Sequence, residues 1–291
     1  MDTLNEILSH LPQRVSEEIS MLPASVLADL EEIRMRCNQS VRIQHAGQER
    51  LLMRIVTKDD LQKTLTGLVK FSYYAYEEEL AKGFVTINGG HRVGVCGKAV
   101  VKEGMPTLIK EISSVNIRFA KEIKGCANPL IPVLIEGSRP VNTLIVSPPG
   151  CGKTTLLRDI ARIFSLRQIK VSICDERSEI AGMYDSSPSF DLGPRTDVLD
   201  GCTKKTGMLM LIRSMSPDVI ITDEIGMKGD AEAIEQCINA GVGIVTSIHG
   251  SDRDDVMNSS IGYLAEKGIF RNIIYLSCEK GPGTIKEIES A

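Results

Sequence analysis

A chain of 291 residues, 42% hydrophobic and 25% charged, has room for one large or two ordinary domains with cores of their own, and its composition is that of a globular protein in water. The net charge of −4 divides near residue 125 into 17 basic and 16 acidic residues before it and 17 and 22 after it, so neither half has the basic excess that binding a phosphate backbone favours. Aromatics at 4% with no Trp argue against a stacking platform for single-stranded nucleic acid, and no apolar leader or run of about 18 apolar residues is present, so any membrane connection is expected to be peripheral or through partners.

In chain order, residues 1–33 carry apolar residues at helical spacing, Leu4, Ile7, Leu8 and Leu11, then Val15 and Ile19, then Leu27 and Leu30. Pro12 and Pro23 are expected to end or kink these short helices. Glu32–Arg36 and Val41–Gln44 alternate as strands, with Arg34, Arg36 and Arg42 placed to share one sheet face. Residues 58–70 predict an amphipathic helix starting near Thr57, and Tyr74–Ala81 a second one. Gly83–Ile87 and Arg92–Gly97 flank Gly89-Gly90 and predict a hairpin, with further strand pattern at Lys98–Val101 and Ser114–Phe119. This half, residues 1–124, reads as a small α+β domain.

Prolines and glycines punctuate residues 125–140, and a second domain is expected to fill 125–291. Its pattern alternates: strands at 141–146, 170–174, 218–222, 242–248 and 271–277, helices at 153–166, 203–215, 229–240 and 252–267. Near-continuous apolar strands separated by helices predict a parallel sheet covered on both faces. Residues 177–202 read as a long loop, and in a compact domain such a loop is usually functional or disordered. The eight cysteines are dispersed with no C-x-x-C spacing, which reads as reduced, mostly buried residues.

The strongest chemical signal is Ser147-Pro148-Pro149-Gly150-Cys151-Gly152-Lys153-Thr154-Thr155, between an apolar strand and a helix. Backbone amides of Gly150, Cys151, Gly152 and Lys153 form a nest for a polyphosphate at a helix amino end. Lys153 supplies a point charge to the β/γ-phosphates and the Thr154 hydroxyl a ligand for Mg²⁺. Ser147 stands where the usual pattern has Gly.

Ligands of an open α/β sheet gather beyond the strands' carboxyl ends. Asp175-Glu176, Asp223-Glu224 and His249 each follow such an end. Asp223 is placed to hold Mg²⁺ and Glu224 to address the attacking water; Asp175 and Glu176 are further candidates, and His249 is either a γ-phosphate sensor or an ordinary loop histidine. Positive charge for the developing phosphoryl oxygens has candidates in Arg195, Arg213, Arg92 and Arg118.

With these motifs in place, residues 141–250 resemble the RecA-like motor of the type II and type IV secretion ATPases. Asp175–Glu179 resembles that superfamily's acidic box, Leu211–Asp218 with Glu224-Ile225 the approach to its Walker B element, and Ser247–Gly250 its histidine box. Asp223 and Gly226 depart from the Gly and Arg common there, so the base is either Glu224 or one of Glu176 and Asp175. Ser72–Glu77, Gly83–Gly94, Arg195–Gly201 and Ile212–Gly226 extend the resemblance, over nearly the whole chain, to the stage III sporulation AA family of endospore-forming bacteria.

The resemblance implies a RecA-like P-loop NTPase domain with a parallel sheet behind a smaller α+β N-terminal domain. It implies an ATP- and Mg²⁺-dependent hydrolase working as a homo-oligomer, a hexameric ring with ATP at subunit interfaces. It implies a cytoplasmic, mother-cell location, with peripheral membrane association through a membrane-embedded secretion complex that joins mother cell and forespore. Two other readings predict different behaviour. A nucleic-acid motor on the same fold requires hydrolysis stimulated by DNA or RNA, and a nucleotide-gated scaffold requires ATP binding but not turnover.

Overall fold

The computed structural model describes residues 2–70, 76–227 and 229–290. Two units make up the chain, Met1–Ala120 with Tyr184–Ser189, and Lys121–Met183 with Phe190–Ala291.

In the first unit the prolines begin helices rather than end them. Pro12 and Pro23 stand immediately before α2 (Gln13–Ser20) and α3 (Ala24–Ala28), following α1 (Asp2–Ser9), because a residue with no N–H and a fixed φ costs nothing at a helix start. Strands β1 (Leu30–Arg36), β2 (Ser40–His45) and β3 (Gln48–Ile55) precede α4 (Lys58–Leu68) and α5 (Glu77–Ala81), and β4 (Phe84–Ile87), β5 (His91–Lys102) and β6 (Met105–Arg118) complete the unit. Thr57 caps α4 through a reciprocal box with Asp60. The helix expected from Tyr74 has its first two residues, and the Ser72–Ala75 part of the resemblance, outside the described residues.

These strands form one antiparallel sheet in the order β3-β2-β1-β6-β5-β4. Ile33, Met35, Val41, Ile43, Val93, Val95, Val115 and Ile117 face a core shared with Ile7, Val15, Ile19, Leu61 and Leu65 of the helices. Arg34, opposite Arg42 in register, alternates with those buried residues and so lies on the other face, as do Arg92 and Arg118, which are also opposite one another. The Gly-Gly hairpin forms with both glycines at positive φ, 83° and 69°, as a turn of that type requires. β3 has no counterpart among the expected strands, because it is an edge strand with Leu52 its single buried residue and shows no alternation.

The second unit opens with α6 (Ile131–Leu134) and the two-residue strands β7 (Ile135–Glu136) and β8 (Arg139–Pro140). Then come β9 (Thr143–Ser147), α7 (Lys153–Leu166) and β10 (Val171–Asp175). The expected loop 177–202 carries the short strands β11 (Met183–Tyr184) and β12 (Ser187–Pro188), its residues Tyr184–Ser189 belonging to the first unit, and ends in a full strand of the second, β13 (Thr196–Asp200). After it follow α8 (Lys204–Met215), β14 (Val219–Thr222), α9 (Asp230–Asn239) and β15 (Gly243–His249). The helix expected over 252–267 is two, α10 (Arg253–Met257) and α11 (Gly262–Glu266); the Ser259 hydroxyl donates to the Val256 carbonyl, 2.6 Å away, a side-chain bond that competes with helix continuation. β16 (Asn272–Ser277) and β17 (Thr284–Ser290) end the chain.

The sheet runs β13-β10-β14-β15-β9-β16-β17, parallel apart from the last, antiparallel pair. Alternate residues of single strands feed two cores: Ile145, Ile173, Ile221 and Val245 pack with Leu157, Ile160 and Phe164 of α7, while Leu144, Val146, Ile220 and Ile244 pack with Met208 of α8 and Ile234 of α9. Burial on both faces is why these strands read as apolar runs.

Candidate nucleotide site

Parallel pairing brings the carboxyl ends of β9, β10, β14 and β15 to one edge, with His249 opposite Ser147 and Thr222 opposite both Cys174 and Thr246 in register. The phosphate-loop residues leave β9 at that edge. Ser147 is fully buried, its hydroxyl donating to the Pro148 carbonyl at 3.0 Å, so it enters the turn as the last residue of a strand. Pro149 and Gly150 are exposed, and Gly152 is the N-cap of α7 at φ 86°. A Cβ on Gly152 would also meet the Gly283 nitrogen at 3.1 Å, so the position excludes side chains twice over. Among the described residues, no protein acceptor takes the amide hydrogens of Gly150, Cys151, Gly152 or Lys153. Four adjacent donors at a helix amino end fit an anionic polyphosphate. Thr154 and Thr155 lie half-buried in the first turn of α7.

Lys153 is 5% exposed, and its ammonium donates to the Ser147 carbonyl at 3.0 Å. The same nitrogen is 3.0 Å from His249 Nδ1, and His249 Nε2 is 2.9 Å from Glu224 Oε1. A protonated lysine only donates, which makes Nδ1 the acceptor and leaves Nε2 to carry the proton it gives to Glu224. One chain of contacts therefore joins loop lysine, histidine and carboxylate. Burial depresses the Lys153 pKa, against the raising effect of the Glu224 and Asp223 charges.

Glu224 holds a left-handed backbone at φ 36°, which costs about 1 kcal/mol for a residue with a side chain. Its amide donates to Ser247 Oγ at 3.0 Å, and the Ile225 amide to the Ser247 carbonyl at 2.8 Å; Ser247 of β15 thus pins the turn that aims Glu224. Asp223 is 2% exposed, and its buried Oδ1 receives no hydrogen bond among the described residues. Burial, then the neighbouring Asp175, push its pKa up to about 7. An orphaned, buried carboxylate oxygen beside a hydroxyl-bearing phosphate loop suits a hard cation that takes its remaining oxygens from phosphate and water. Thr154 and Asp223 are the residues that would hold Mg²⁺, and the amides of 150–153 with Lys153 those that would hold the phosphates.

Asp175, by contrast, is committed to the backbone. Its Oδ1 accepts from the Glu179 amide at 2.9 Å and its Oδ2 from Ile180 and Ala181 at 3.0 and 2.8 Å. Burial raises its pKa to about 6, and its role is to fold the loop after β10. Among the described residues, no backbone amide donates to the side chain of Glu176 or Glu224. Glu176 receives the Lys204 ammonium at 2.7 Å, and Arg177 lies 3.8 Å from Glu224. Lys204 does not stand out in the sequence, where a lysine opening a helix reads as a solvated surface residue, and Arg177 does so only as a member of the Asp175–Glu179 segment.

The structure does not bring Arg195 to this group. It precedes β13, which runs parallel to β10, so it lies at the amino edge of the sheet, where its exposed residue donates its amide to Ser165 Oγ at 2.6 Å. Arg213 is exposed in the last turn of α8. Arg92 and Arg118 belong to the first unit, Arg92 stacking 3.6 Å from the Phe84 ring centre and Arg118 lying 3.8 Å from Glu32.

One expectation is corrected outright. Cys151 of the phosphate loop and Cys278, 127 residues later, form a disulfide with Cα atoms 5.4 Å apart, a pairing that spacing along the chain does not reveal. The Gly283 amide also donates to the Cys151 carbonyl at 2.9 Å, so the turn after β16 is tied to the loop twice. Alkylation of the denatured protein is expected to label six cysteines without reductant and eight with it; eight in both cases would remove the bridge.

Comparison with known proteins follows this geometry. The family described as sporulation stage III, protein AA matches residues 2–291. Stage III sporulation protein AA of Bacillus subtilis (strain 168) is 43% identical over 291 residues, covering 98% of this chain and 94% of that protein. Among solved structures, the Legionella pneumophila ATPase DotB superposes with a TM-score of 0.59 at 16% identity, over 91% of this chain and 76% of that one. The pilus retraction motor PilT with bound ADP gives 0.60 at 15%, over 90% and 76%. At such identities the likeness shows the fold, a parallel-sheet P-loop ATPase fold behind an antiparallel-sheet N-terminal part. Among the described residues no helix is long and apolar enough to cross a membrane.

Proposed function

The chain belongs to the sporulation stage III, protein AA family, and from that premise we propose that it is a Mg²⁺-dependent ATP hydrolase of the secretion-ATPase type. The observation that carries the reading is the contact chain from Lys153 through His249 to Glu224, set beside four loop amides with no protein acceptor. Bound Mg²⁺ would neutralise charge on the phosphate oxygens and hold them for in-line attack. The chain's own groups divide the remaining work. Loop amides and Lys153 bind and orient the β/γ-phosphates. His249, touching both Lys153 and Glu224, registers whether the lysine is engaged by phosphate. Glu224 or Glu176 orients water and takes its proton. Arg118 and Arg195 of a neighbouring copy are our candidates for charge supplied across a subunit boundary, since both are exposed and Arg195 lies at the edge of the sheet away from its own chain's loop. Turnover in a homo-oligomer, a hexamer by analogy with the fold, would energise a membrane-embedded complex between mother cell and forespore from the cytoplasmic side.

Steady-state hydrolysis by Glu224→Gln and Glu176→Gln tests the assignment. The variant lacking the base is expected to lose about 10²-fold or more in kcat with nucleotide affinity retained, the other much less. Full activity in both would remove the two carboxylates from the mechanism.

A further inference from the structure

Lys204 is the first residue of α8, where the helix macrodipole already presents positive charge. A lysine there is expected to turn outward, as Lys205 does to reach Glu232 at 2.7 Å. Lys204 instead is 6% exposed, and burying an ammonium is unfavourable unless carboxylates compensate it. Its nitrogen is 2.7 Å from Glu176 Oε2 and 3.9 Å from Asp223 Oδ1. The first distance is a charge-assisted hydrogen bond. The second is too long for one, so that buried oxygen, without a donor among the described residues, keeps its lone pairs for another cation.

We propose that Lys204 is a positioning residue of the nucleotide site: its ammonium holds the half-buried Glu176 carboxylate near the buried Asp223 and, before metal arrives, supplies positive charge to both acids. The inference rests on the nucleotide-site reading but assigns a residue that reading does not use. No bond forms or breaks. The work is electrostatic, and Lys204 and a divalent cation on Asp223 repel one another while both stabilise the acids.

That repulsion gives a signature that mere packing does not. Lys204→Met, of similar length and no charge, is expected to bind Mn²⁺ without nucleotide at least about fivefold more tightly than the native chain, and to gain more in Tm from Mg²⁺. Lys204→Arg keeps the charge and is expected to hold Mn²⁺ affinity near native. In turnover, Lys204→Met loses at least about tenfold in kcat with KM for ATP within about threefold. Combining it with Glu176→Gln costs no more than the worse single change, since both break one contact. If Lys204→Met does not fold, Lys204→Gln and the Glu176→Gln background carry the same titrations. Native Mn²⁺ affinity in the uncharged variants, or additive losses in the double variant, would overturn the proposal. A native chain that binds no nucleotide would instead overturn the nucleotide-site reading, and the Mn²⁺ titration would still decide the role of Lys204.

Discussion

Asp223→Asn is expected to make the nucleotide-free protein more stable at pH 8 and to abolish ATP turnover. The Asp223 carboxyl is raised from 3.8 to about 7, first by burial and then by Asp175. A raised carboxyl means the folded chain holds this proton more tightly than the unfolded chain does. Between about pH 4 and pH 7 the folded state therefore binds more protons, and its stability falls as pH rises through that window. A displacement of that size corresponds to at most about 4 kcal/mol. Relaxation and water entry reduce it, so a gain of roughly 2 kcal/mol at pH 8 is expected for the amide, shrinking towards zero near pH 4, where the acid is already neutral in both states. Denaturant melts at the two pH values check this. A variant less stable at pH 8 would show that Asp223 is not held as a strained, metal-ready acid. Loss of turnover follows because an amide oxygen lacks the charge that a divalent cation requires of its one protein carboxylate here.

Lys153→Ala is expected to lower ATP turnover by about 10³-fold or more while leaving the fold intact. The ammonium is the cationic side chain planted inside the phosphate loop, and its present partners, the Ser147 carbonyl and His249 Nδ1, are ones a bound phosphate would share or displace. Removing it deletes hydrogen bonds of about 1 kcal/mol each and leaves Ser147 already paired through the strand, so a Tm loss of only a few degrees is expected. Turnover within tenfold of native would contradict the role given to the loop.

Much of this was legible because it is local. A buried parallel strand is an apolar run, the phosphate loop follows one and opens α7, and Asp175, Asp223 and His249 each mark the end of another; parallel pairing then has to bring those ends to one edge. What was not legible is what depends on pairing at a distance. β13 is five residues of mixed polarity whose strand character comes from lying against β10. Arg195 looked available in a loop, yet β13's direction carries it to the opposite edge. Asp175 looked like a second catalytic acid until the fold spent both its oxygens on the amides of 179–181. The partnership of Lys204 with Glu176 and the Cys151–Cys278 bridge join residues 28 and 127 positions apart, and no periodicity connects them.

The most direct test is a crystal of the native protein grown with a non-hydrolysable ATP analogue and Mn²⁺. The expected result is phosphate oxygens against the amides of Gly150 to Lys153, with an anomalous Mn²⁺ peak touching Thr154 and the free oxygen of Asp223. An analogue bound elsewhere, or those amides closed against protein with the metal absent from Asp223, would contradict the assignment of this edge of the sheet to nucleotide chemistry.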